Sequence, residues 1–135
     1  MSTNQLIIEK LSPFNVPDTI EKLVSAATKK DWQNPATHNL QQSLAKSGKE
    51  VRPVQILEIC KPEYSGKLLE KNHERIASVL MPCRISVYEK VDGKTYVSFI
   101  NISAMISELP ASIVDTMKSA SEETTDIINS ALEQS

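Results

Sequence analysis

Residues 84–102 read RISVYEKVDGKTYVSFINI. Ile85, Val87 and Tyr88 stand before Asp92-Gly93, and Tyr96, Val97, Phe99, Ile100 and Ile102 follow it. β-Branched and aromatic side chains suit the pleated, half-buried surface of a strand. Asp-Gly between two such runs is a strong hairpin signal, because both turn positions tolerate positive φ. The stretch therefore predicts two antiparallel strands joined by a tight turn, and with them a sheet on which the rest of the chain packs.

Upstream of this hairpin, Pro53 to Cys60 carries Val54, Ile56, Leu57 and Ile59 and predicts a strand, halted at Pro62 because proline cannot donate to a ladder. Leu6-Ile7-Ile8 predicts a first strand near the N-terminus. Between them, Asp18 and Glu21 have capping-box spacing, and Ile20, Leu23, Val24 and Ala27 recur at three and four, which predicts a helix to about Lys30. Trp32 to Asn34 reads as a short extended piece ended by Asn34-Pro35. Thr37 is expected to cap a second helix, with His38 in its first turn, Leu40, Leu44 and Ala45 inward, and Gly48 as its left-handed stop. A third, short helix is expected from Glu63 to about Asn72. Downstream, Pro110 opens a long helix with an apolar stripe from Ile113 through Met117, Ala120, Ile127 and Ile128 to Leu132, and Ser119 to Thr125 is expected on its wet side. The expected class is α+β: a small mixed or antiparallel sheet with helices packed on it, the hairpin in the C-terminal half, and a long C-terminal helix, all one domain over residues 1–135.

Composition narrows the function classes. A chain of 135 residues is long enough to bury a core without disulfides or metals. Its net charge of -2 gives no global attraction to nucleic acid or to an anionic membrane, and 4% aromatic content argues against a base-stacking platform. Three glycines leave no Gly-rich loop to cradle a phosphate. No apolar run approaches the roughly 20 residues of a membrane span, and Met1 to Gln5 lacks the basic-then-apolar plan of a signal peptide. The expected compartment is the cytoplasm, with neither nucleic acid nor membrane as partner.

Two cysteines, Cys60 and Cys83, are too few for a secreted disulfide framework and are expected as thiols. They lie outside CxxC and metal-knuckle spacing, but Cys60 ends one expected strand and Cys83 precedes another, so neighbouring strands would place both at one rim of the sheet. The plain alternative is that both are small buried hydrophobes. His38, near a helix start, would favour the neutral imidazole that binds metals. With Cys60 and Cys83 it would make a mixed nitrogen and sulfur set suited to zinc or copper. Arg52 and Arg84, at expected strand edges, could grip a carboxylate or phosphate. His73 falls in a polar loop and receives no role. Glu58, Glu63 and Glu89 show no spacing that pairs two carboxylates for acid–base work, and no serine lies in a GxSxG elbow, so a hydrolase has no support.

Glu58-Ile59-Cys60-Lys61-Pro62 and Leu80-Met81-Pro82-Cys83-Arg84-Ile85 carry a family likeness. The pattern resembles domain-of-unknown-function family 302, whose members show a Cys-Asn-Pro-like turn after a strand and a Leu-Leu-Pro-Cys-Arg-like segment entering a hairpin. The stretch Thr37-His38-Asn39-Leu40 to Gly48 is similar to a histidine-bearing helix of many members. The resemblance implies a compact α+β domain, known in dimeric forms, and places Cys60, Pro62, Pro82, Cys83 and His38 on motif positions. Lys61 departs from the usual asparagine and replaces an amide by a cation without an acceptor. Three functions stay in competition: a homodimeric binding module holding a metal or small ligand near His38, Cys60, Cys83 and Arg84; a thiol redox or sulfur-transfer protein; and a structural dimerisation or interaction domain. Whether the chain is an enzyme is open at this point.

Overall fold

The expected hairpin forms between β4 (Cys83–Glu89) and β5 (Thr95–Ile100), with Val87 opposite Val97 and Ile85 opposite Phe99. Its turn differs from the expected one. Gly93 alone takes positive φ, at 79°, while Asp92 does not. Gly93 N donates to the Lys90 carbonyl at 2.9 Å, Lys90 N donates to the Lys94 carbonyl at 3.0 Å, and Asp92 Oδ1 accepts from Lys94 N at 2.9 Å. The loop is thus three residues closed by a left-handed glycine, because the Asp92 side chain is spent on holding the turn from the outside.

The computed structural model describes residues 5–133. Met1 to Asn4, on which the reading of the N-terminus rests, and residues 134–135 of the expected domain lie outside them. Around the hairpin the sheet grows to five strands in the order β1-β5-β4-β3-β2, with β1 (Ile7–Ser12), β2 (Gln33–Asn39) and β3 (Val54–Cys60). Every neighbouring pair is antiparallel. The four helices are α1 (Val16–Lys29), α2 (Leu40–Ala45), α3 (Pro62–Leu69) and α4 (Ala111–Ala131), with 3₁₀ segments at His73–Leu80 and Ile102–Glu108.

Alternation along the strands sets the layers. Leu57 and Ile59, Ile85 and Val87, and Val97 and Phe99 face one side, where Leu23 and Ala27 of α1 and Ala120, Ile127, Ile128 and Ala131 of α4 cover them. The other side of the sheet is open, with Ile7, Leu11 and Ile100 exposed and Tyr88 stacked on Tyr96 at 6.4 Å. A second, smaller cluster joins Leu68 of α3, Ala77, and Ile113 and Met117 of α4, with Leu80, Met81 and Ile102 packed against it. The seam between the two clusters is where the chain leaves a cavity.

Two expectations about helix starts are corrected. Asn15, not Asp18, caps α1, accepting from Asp18 N at 2.8 Å, so the helix begins before Asp18. Thr37 and His38 do not begin α2; they are ladder residues of β2 opposite Leu57 and Ile56, and Asn39 caps the helix, accepting from Gln42 N at 3.1 Å. Both asparagines win because a short amide side chain in extended backbone reaches the free N–H three residues on. The piece read as Trp32 to Asn34 extends to Asn39, passing Pro35 through a register shift between Gln33 and Ala36. α2 buries no residue, contrary to the inward placement of Leu40, Leu44 and Ala45.

Candidate functional site

The β3–β4 ladder places Cys60 and Cys83 at the same end of the two strands. Ile59 pairs with Cys83, so Cys60 lies one step diagonal to it at the end of β3. Both are free thiols, and both line one cavity of about 30 Å³ under α3 and α4. Cys60 Sγ donates to Ser65 Oγ at 3.6 Å, and Ser65 Oγ donates to the Lys61 carbonyl at 3.3 Å, so the first turn of α3 fixes the thiol. Cys83 also walls an adjoining cleft of about 70 Å³, with Leu80, Met117 and Ala120 shared between the two. Burial pushes the Cys83 thiol up; the Thr124 hydroxyl beside it pulls the other way, and Cys60 adds to the rise.

Pro62 opens α3 immediately after Lys61, where a missing N–H costs nothing. Pro82 follows Met81 through a cis peptide bond, and both side chains line the cavity next to Cys83. Three of the residues singled out from sequence, Cys60, Pro82 and Cys83, therefore line one cavity, and Pro62 opens the helix beside it.

His38 and Arg84 lie elsewhere. His38 pairs with Ile56, four positions back along β3 from Cys60, and its Nε2 meets Glu58 Oε2 at 3.1 Å. Arg84 Nη2 donates to the same Glu58 oxygen at 3.3 Å, as expected for residues opposite each other on β3 and β4, and it borders only the 70 Å³ cleft. Neither lines the cavity that holds both thiols. Among the described residues no three His, Cys, Asp or Glu side chains are placed to hold a metal ion, so the set His38, Cys60 and Cys83 is not brought together. Arg52 is engaged with Glu89 at 2.9 Å. His73 is exposed at the start of a 3₁₀ segment.

Three lining residues of the cavity, Trp32, Lys61 and Tyr64, share a carboxylate partner that sequence reading missed. Glu123 of α4 accepts from Trp32 Nε1 at 3.0 Å, from Lys61 Nζ at 3.0 Å, and from the Tyr64 hydroxyl. Desolvation alone would raise this carboxyl, but the three donors and the Lys61 charge outweigh it and hold it down at about 2. The same hydrogen bond to Glu123, with burial second, drives Tyr64 up to about 12. Glu123 lies within the stretch expected to be solvated, where Thr124 is in fact buried along with the expected Ala120. The one clue lay in the helical spacing of Ala120, Glu123 and Ile127, which puts the carboxylate on the flank of the apolar stripe. Lys61, noted in the sequence only as a departure from asparagine, provides a cation to that carboxylate.

With this geometry in hand, the family model described as "Domain of unknown function DUF302" matches residues 8–135. A crystal structure of an uncharacterized conserved protein DUF302 from Bacillus stearothermophilus superposes with a TM-score of 0.84 at 16% identity, covering 94% of this chain and 98% of that one. At that identity the likeness speaks for the fold. No curated protein matches the sequence.

Proposed function

Because the chain belongs to the DUF302 family, whose description carries no activity, we propose from the site itself that the protein is a small binding module whose ligand enters at the seam under α3 and α4, against Cys60 and Cys83. One observation carries this reading: both cysteines of the chain line a single cavity together with Trp32, Lys61 and Tyr64, the three donors to Glu123. A purely structural pair of thiols needs no such polar rank beside it. Thiol exchange ranks second, because it requires an accessible thiolate and burial raises the Cys83 thiol.

Trp32 is the only tryptophan of the chain; it lines the cavity and bonds to Glu123, so it reports on the site directly. The reading is tested by nuclear magnetic resonance of labelled, reduced protein with three probes: zinc, silver(I) and propanethiol. At least one probe is expected to shift the amides of residues 60–65, 81–83 and 116–120 and to change Trp32 emission, and Ala120→Leu, which fills the seam, is expected to abolish both. Shifts confined to the open sheet face, or none at all, would remove the proposal.

A homodimer through the open sheet face is a separate reading of the assembly, favoured by the exposed Ile7, Leu11 and Ile100 beside the Tyr88–Tyr96 pair. Light scattering decides it: a dimer split by Leu11→Lys supports the face, and a monomer at high micromolar concentration removes it.

A further inference from the structure

We infer that the ligand of this cavity is a soft monovalent metal ion, copper(I), held by the thiolates of Cys60 and Cys83 with thioether sulfur from Met117 and Met81. This rests on the binding-module reading and names its ligand. Size comes first. The cavity offers about 30 Å³, and a single water needs roughly 10–15 Å³ measured in the same way. There is room for one ion, about two waters or a ligand of only a few heavy atoms, whereas a larger organic ligand would have to displace lining side chains.

The donor set selects the ion. Both cysteines and two of the four methionines of the chain line this one cavity, with no histidine, aspartate or glutamate among its lining residues. Thiolate and thioether ligands suit copper(I), while zinc prefers four thiolate, imidazole or carboxylate donors. Met117 belongs to the second hydrophobic cluster and Met81 packs against it, whereas Cys83 packs against the main core, so these residues reach the cavity from both sides of the seam. The remaining surface is mostly apolar, which limits competition from water. Lys61 is the one charged side chain in the lining. Binding forms two sulfur–copper bonds, releases one proton from each thiol to solvent and changes no oxidation state. The resulting site carries one net negative charge, and Lys61 Nζ stays on Glu123.

The test is anaerobic titration of the reduced full chain with copper(I) delivered as its bicinchoninate complex, read by loss of the complex's absorbance, with zinc in a parallel series. One copper(I) per chain is expected, bound at least about 100-fold more tightly than zinc, as the softness of the donors dictates. Cys60→Ser and Cys83→Ser are each expected to weaken copper(I) by about 100-fold or more, and Met117→Leu, which keeps the volume and removes the sulfur, by about 10-fold. His38→Ala is expected to leave the affinity unchanged. Equal affinity in wild type and Cys60→Ser, tighter zinc than copper(I), or a large loss in His38→Ala would each overturn the assignment. A copper(I) failure with Trp32 still responding to propanethiol would sink the metal and leave the binding module standing, whereas silence from every probe would sink both.

Discussion

Glu123 shows what a single side chain does here. One carboxylate ties α4 to α3 through Tyr64, to the turn before α3 through Lys61, and to the start of β2 through Trp32. Hydrogen bonds to a charged acceptor contribute more than neutral ones, so Glu123→Gln is expected to cost about 2 kcal/mol in urea denaturation at pH 7. The pH dependence follows from the direction of the shift. The folded carboxyl sits at about 2 against its usual 4.5, so as pH falls the unfolded chain takes up the proton first. The contribution is whole above the usual carboxylate value and is lost as pH falls from 4.5 towards 2. Glu9, held down by Lys90 and Tyr88, and Asp92, held down by Tyr96, lose stability in the same direction. The Glu123 part is therefore read as the difference between wild type and Glu123→Gln, expected to shrink between pH 6 and pH 3. A constant difference would contradict it.

At the scale of the element, the hairpin is decided by its turn. Gly93 holds φ at 79°, and a Cβ added there would meet nothing within 4 Å. Any penalty for Gly93→Ala is then backbone strain alone, about 1–2 kcal/mol in thermal or urea unfolding, and Gly93→Asn should recover part of it. Asp92, by contrast, keeps ordinary φ and acts through its carboxylate on Lys94 N and on the Tyr96 hydroxyl at 2.5 Å. Both residues were legible as turn formers, but the geometry that each adopts was not. Asp-Gly is compatible with two turn types, and the choice was made by side-chain hydrogen bonds to residues two and four positions on. The same limit explains α2: Thr37 read as its cap, but pairing with Leu57 took the threonine into the sheet and left the cap to Asn39.

For the whole molecule, one face of the sheet carries the stability. Leu57 is fully buried beneath the helices, and Leu57→Ala is expected to cost about 3 kcal/mol. Leu11 on the open face is 54% exposed, and in a monomer Leu11→Ala should cost less than about 0.5 kcal/mol. A cost at Leu11 comparable to that at Leu57 would mean that the open face is covered in solution. By itself the sequence determined the α+β class, the hairpin, the strand ending at Cys60, the docking stripe of α1 and the long closing helix, because periodicity and turn chemistry are local and act within a few residues. Only the tertiary structure decided that β1 pairs with β5 and β3 with β4, that His38 joins Glu58 and Arg84 rather than the thiols, that Cys60, Cys83, Met81 and Met117 line one cavity, and that Glu123 binds Trp32, Lys61 and Tyr64 of the same lining. Those partners come from separate strands and helices, and burial of two apolar clusters against each other, rather than any spacing along the chain, brings them together.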